Sequence, residues 1–153
     1  MGDAMEVAKV QETLGNAIDL QAESVLTMSL LTGSLRGVEA TAIRQSLREF
    51  VLAELEDTNR LIEKLSALGG NPSMRVPDIS TDGDTQRALK ALLRHEAEAV
   101  AALHAVIPHS GQQPRSEALE HLLEHCIMRK QQQIDFLWHA TDLKRPIVVD
   151  PNG

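Results

Sequence analysis

Aromatic residues are nearly missing from this chain of 153 residues: Phe50, Phe136 and Trp138 are all it has, and tyrosine is absent. A core without aromatics must be filled by Leu, Ile, Val, Ala and Met, which suits packed helices better than sheets. Cysteine is almost as scarce. Cys126 stands alone, which excludes an internal disulfide and favours a reducing, cytoplasmic compartment. No apolar run approaches the ~20 residues that a membrane span needs. The opening Met1-Gly2-Asp3-Ala4-Met5-Glu6 lacks the basic flank and apolar stretch of a signal peptide. Basic residues are outnumbered, and the net charge of −7 speaks against nucleic acid as a partner. What remains is an ordinary globular balance, 42% hydrophobic and 24% charged, at a length that suits one domain.

Glycine and proline divide the chain into four long segments. The first is expected to run from about Asp3 to Thr32, ending in Gly33-Ser34-Leu35-Arg36-Gly37. The second runs from about Val38 to Leu68 and stops at Gly69-Gly70-Asn71-Pro72. A polar stretch follows, and a third helix is expected from about Asp84 to Ile107. The fourth runs from about Pro114 to Leu143. Residues 1–144 then form one domain and 145–153 a tail. Short turns join the first to the second helix and the third to the fourth, so each pair reads as an antiparallel hairpin. The middle connection could span ~50 Å at 3.3 Å per residue. Helix two is ~46 Å long at 1.5 Å per residue. The fold class is therefore all-α: an antiparallel four-helix bundle with one long crossover between helices 2 and 3.

The helical repeat gives each helix a buried stripe with a polar interruption near its middle. Helix one reads Val7, Val10, Leu14, Ile18, Val25 and Met28, interrupted by Gln21. Helix two reads Ile43, Leu47, Phe50, Leu61, Leu65 and Leu68, interrupted by Glu54 with Asp57 at the edge. Helix three reads Leu89, Leu92, Leu93, Val100, Leu103 and Ile107 around Glu96. Helix four reads Leu119, Leu122, Cys126, Ile134 and Leu137 around Lys130 and Gln133. Antiparallel packing brings these interruptions to one level. A lone buried charge costs several kcal/mol unless it is paired or bound to a metal. A shared site is therefore expected there. If helix one were rotated, Glu23 would replace Gln21.

The stretch Leu52-Ala53-Glu54-Leu55-Glu56-Asp57, continuing to Leu65 and the turn Leu68-Gly69-Gly70-Asn71-Pro72, resembles the second helix of the bacterioferritins. Gln133-Ile134-Asp135-Phe136-Leu137-Trp138 is similar to the end of their fourth-helix motif. The resemblance covers roughly Gln11 to Leu143 and implies the ferritin-like superfamily. Its di-iron centre takes one Glu from each of two helices and Glu-x-x-His from each of the others. Carried onto this chain, those six ligands fall on Gln21, Glu54, Asp57, Glu96, Lys130 and Gln133. Only Glu54, Asp57 and Glu96 keep a carboxylate, and they are the metal ligands if a metal such as iron binds. Gln21 and Gln133 are neutral, and Lys130 is an ammonium with donors only.

These changes favour a non-catalytic ferritin-like subunit or interaction protein with a degenerate di-iron centre and no resident cofactor. An iron-binding ferroxidase or storage protein is the enzymatic alternative, and a small-ligand binding module the third. A second apolar stripe on helix two, Val51, Leu55 and Ile62, suggests a partner surface, and the resemblance implies that the partner is another copy, in a homo-oligomer packed through helices 1 and 2. Leu55 stands where the resemblance would place a haem-ligating Met, which argues against haem. His121 and His125, an i, i+4 pair, are expected on an exposed polar face rather than on a metal. Cys126 reads as a core residue, and Met28 and Met128 as core or boundary residues.

Overall fold

The computed structural model describes residues 3–81 and 83–149. Within them lie four long helices, α1 (Val7–Ser34), α2 (Val38–Ala67), α3 (Thr85–His104) and α4 (Pro114–Ala140), and a single 3-10 turn at Ile107–His109. No helix among the described residues is long and apolar enough to cross a membrane.

The helix directions follow from which side chains meet in the core. At one end Val10 and Leu14 pack with Leu61, Leu65, Leu103, Leu119 and Leu123. At the other end Met28 and Leu31 pack with Leu47, Leu89, Leu92, Leu93 and Leu137. The chain therefore runs from the first cluster to the second along α1, and back along α2. It must then return to the second cluster before α3 can start. Residues 68–81 make that crossover along α1. Gln11 Nε2 donates to Leu68 O at 2.9 Å, and Arg75 N donates to Asp19 Oδ1 at 2.9 Å further along. The long crossover expected from the loop length is thus present. Gly69, at φ +82°, ends α2 with a left-handed turn that lets Gly70 N reach Leu65 O at 2.9 Å.

Three helix ends differ from the periodicity reading. α1 begins at Val7 rather than near Asp3 because the preceding segment is tied to the turn between α3 and α4. Gln112 N donates to Asp3 O at 2.8 Å and Glu6 N to His109 O at 2.9 Å. Asp84 is the cap of α3, its carboxylate accepting from Arg87 N at 2.8 Å, and the helix closes at His104 before the 3-10 turn. α4 stops at Ala140, and Leu143 and Ile147 continue as non-helical chain packed on the second core cluster. The inward stripe of α4 uses Leu123 rather than Leu122, and that of α1 uses Ser24 where Val25 is half-buried. Met28 is buried as expected, but Met128 is 54% exposed on the outer face of α4.

Candidate functional site

Between the two apolar clusters lies a polar layer to which every long helix contributes. It comprises Gln21 and Ser24 from α1, Glu54 and Asp57 from α2, Glu96 from α3, and Lys130 and Gln133 from α4, all buried. The six positions singled out in the sequence thus sit at one level. Gln21, at 1% exposure, settles the rotation of α1. Glu23 points elsewhere: its Oε2 lies 2.6 Å from His95 Nδ1 beneath the crossover.

Lys130 has no solvent exposure and occupies the centre. Its Nζ donates to Glu96 Oε2 at 2.6 Å, to Glu54 Oε1 at 2.9 Å and to Ser24 Oγ at 3.3 Å. All three ammonium hydrogens are therefore used. Glu54 Oε2 accepts from Gln21 Nε2 at 2.7 Å, which satisfies both of its oxygens. Thr58, one turn on, returns its hydroxyl to Glu54 O at 2.7 Å instead of entering the layer.

The electrostatics follow from burial and charge. Burial pushes the Glu54 carboxyl above its usual 4.5; the nearby Lys130 opposes the shift and Glu96 adds to it. For Lys130 burial acts downward, but the carboxylates of Glu96 and Glu54 outweigh it and raise the ammonium above its usual 10.5. Cys126, one turn before Lys130, is pushed up to about 12 by burial and by the charges of Asp57 and Glu54. It is a core thiol and no nucleophile.

Asp57 does not join the central group. Its Oδ2 lies 2.7 Å from Arg129 Nε and its Oδ1 3.4 Å from His125 Nε2, while Arg129 Nη2 donates to His125 Nε2 at 3.0 Å. The i, i+4 pair expected to be solvated is therefore split. His121 is exposed, but His125 turns inward beside a buried aspartate. Periodicity missed Arg129, His125 and Ser24. For the first two the available signal was their position, one residue before Lys130 and one before Cys126, on the edge of α4 that faces α2.

Several buried atoms of the layer have no direct partner among the described residues: Glu96 Oε1, Gln21 Oε1 and both amide atoms of Gln133. Of the carboxylates expected to share a metal, Glu54 and Glu96 instead flank one ammonium, Lys130, while Asp57 faces Arg129. Among the described residues no group of three or more His, Cys, Asp or Glu is arranged to hold a metal ion. What the arrangement offers is a buried hydrogen-bond network built on one ammonium shared by two carboxylates.

Comparison with known proteins gives a consistent fold. The ferritin family, described as a ferritin-like domain, matches residues 11–145. No curated protein matches by sequence. Among solved structures, a Dps protein from Vibrio cholerae O1, described as one of a broad superfamily of ferritin-like diiron-carboxylate proteins, superimposes with a TM-score of 0.77. It is 11% identical, over 87% of this chain and 89% of that one. A ferritin-like diiron-carboxylate protein from Bacillus anthracis str. Ames gives 0.76 at 15% identity, over 87% and 95%. A single-substitution variant of Dps1 from Mycobacterium smegmatis gives 0.73 at 15% identity, over the same shares.

Proposed function

The chain belongs to the ferritin-like domain family, and from that membership we propose that it is a bacterioferritin-type, cytoplasmic subunit whose di-iron centre has become a fixed ion-pair layer. On this reading it works by assembly and contact rather than by oxidising iron. The observation that carries the reading is Lys130 Nζ between Glu54 and Glu96. Two irons bring a large positive charge and call for several anionic oxygens with imidazoles to complete the set. Here an ammonium supplies positive charge where ligands would be needed, and it uses one oxygen of each carboxylate. Asp57 is committed to Arg129, and the amides of Gln21 and Gln133 are weak donors to a metal. This donor set does not fit a pair of irons. Two of the carboxylates that the family resemblance marks as ligands, Glu54 and Glu96, are in this proposal the counter-ions of a lysine, and the third, Asp57, that of an arginine.

A surface for assembly is at hand on α1 and α2. Leu26, Leu52 and Leu55 are each more than half exposed. Val51 and Leu52 border a shallow cleft of about 320 Å³ together with Ser29 and Thr32 of α1. An apolar face of this kind marks a protein contact, and we assign it to a second copy of the chain. Leu55 offers a hydrocarbon, so the same face has no side-chain ligand for a haem iron at that position.

The test is the metal content of protein purified without chelator, followed by Fe(II) titration in air. Substoichiometric iron and oxidation no faster than in buffer are expected. Stoichiometric iron with turnover would overturn the reading and restore Glu54, Asp57 and Glu96 as ligands.

A further inference from the structure

Beyond α4 the chain folds back over the groove between α3 and α4 and turns part of it into a cleft of about 600 Å³. Val100, Ile134 and Trp138 supply the helical walls, and Ile147 and Val149 the covering one. These last two are half-buried and alternate with the exposed Val148, as an extended segment with one face inward would have it. The family match ends at residue 145, so the covering wall lies outside the matched domain. The volume falls in the range of roughly 300–1,000 Å³ typical of small-molecule sites.

The open valences of this cleft decide the charge of what fits it, and they are acceptors. Among the described residues no lysine or arginine lines it, and the carboxylate on its wall is that of Asp135. Trp138 Nε1 is buried, so this residue offers the cleft ring carbon and no donor. Gln131 Nε2 donates to Asp135 Oδ1 at 3.1 Å and leaves Oδ2 without a partner among the described residues. His139 Nδ1 lies 2.7 Å from Asp135 O; a carbonyl only accepts, so Nδ1 carries the proton, and Nε2 of the neutral ring keeps its lone pair. Asp135 and His139 are both exposed and stand one helical turn apart on the same edge of α4, within reach of a single ammonium. The net charge of −7 draws cations toward the same surface.

We propose that this cleft binds a small organic cation with an apolar body. A primary ammonium donates to Asp135 Oδ2 and His139 Nε2, and its hydrocarbon lies against Val100, Ile134, Trp138 and Ile147. The proposal is independent of the polar layer and of its reading.

Trp138 is the only tryptophan and there is no tyrosine, so the intrinsic fluorescence of the full chain reports on this cleft alone. The probe is n-hexylammonium. A saturable change in Trp138 emission is expected, with one probe per chain by calorimetry. The alcohol 1-hexanol and the anion hexanoate keep the hydrocarbon without the cation and should bind about tenfold more weakly or worse. Asp135→Asn removes the charge at an exposed position with the volume kept, and should weaken hexylammonium roughly tenfold, a loss of ~1.4 kcal/mol. Glu124→Gln removes the same charge from an exposed site elsewhere on α4 and should bind as the parent does, which separates the cleft from the general pull of an acidic surface. Val149→Phe fills the cleft and should also weaken binding, with helical circular dichroism unchanged. No saturable binding to the parent, several probes per chain, hexanol or hexanoate as tight as hexylammonium, parent-like affinity in Asp135→Asn or Val149→Phe, or an equal loss in Glu124→Gln would each overturn the proposal.

Discussion

A lysine survives burial only if its charge is answered and its hydrogens find acceptors, and Lys130 meets both conditions through Glu54, Glu96 and Ser24. The consequence is asymmetric. Lys130→Met leaves two buried carboxylates without their cation and should cost about 3–5 kcal/mol in urea unfolding at neutral pH, less at acid pH where the carboxyls protonate. Removing all three charges together, as Glu54→Leu, Glu96→Leu and Lys130→Met, should cost less than the single change, because no carboxylate is left without its cation and only the neutral Gln21 and Ser24 lose partners. A single variant as stable as the parent would show that the network contributes little. The pH dependence has a definite sign. A cation whose folded pKa is raised adds stability that is complete below its unfolded value and is lost as pH rises through the folded one. The urea midpoint should therefore fall above about pH 10.5, the ordinary lysine value, and Lys130→Met should lack that component of the fall. At this scale the sequence was informative where helical period acts: the six interruptions of the apolar stripes are all buried in one layer, and Ser24 joins them there unmarked by the period. Arg129 and His125 were not legible, because edge positions on a helix acquire partners only once the neighbouring helix is in place.

Elements here are held by their ends as much as by their stripes. Gly111 sits at φ +76°, and a Cβ there would lie 2.7 Å from Asp3 O and Ala4 C, inside the backbone of the segment that precedes α1. Gly111→Ala should therefore loosen both that segment and the turn between α3 and α4. At compatible sites such a replacement stabilises by about 0.4–1 kcal/mol, but at this positive φ and with this clash it should instead cost more than ~1 kcal/mol, read as a lowered Tm. Faster amide exchange at Glu6 and Gln112, whose N–H groups bond across this contact, would localise the effect. This contact also explains why the start of α1 was misplaced by periodicity: Asp3 to Glu6 have helix-compatible residues, but their hydrogen bonds go to a turn more than a hundred residues away. The outer face of α1 and α2 carries a separate expectation. Leu52→Glu with Leu55→Glu alters only exposed positions, so folding should be kept. Sedimentation should show the parent as a dimer or larger and the variant as a monomer. A monomeric parent would remove this face from the proposed function.

On the scale of the whole molecule, the polar layer divides one bundle into two apolar halves, and what fills that layer decides how stability depends on solutes. A centre that needs metal gains stability in proportion to RT ln(1 + [L]/Kd) and loses it to chelators. A layer closed by its own lysine has no such dependence, so EDTA should leave the melting temperature of this protein unchanged. The converse can be built. Gln21→Glu, Asp57→His, Lys130→Glu and Gln133→His together would restore the carboxylate and imidazole set that the family resemblance implies. They would also remove the one cation at the centre and crowd four carboxylates into it. That variant should be less stable than the parent when metal-free, by several kcal/mol, and should regain stability as Fe(II) is added under anaerobic conditions. The comparison separates fold from site: the bundle and its crossover supply the geometry, and the side chains of one layer decide whether that geometry is closed by an ion from solution or by a lysine of its own. If the restored variant is as stable as the parent without metal and indifferent to Fe(II), the layer is tolerated polarity, and Lys130 does not stand in for a metal.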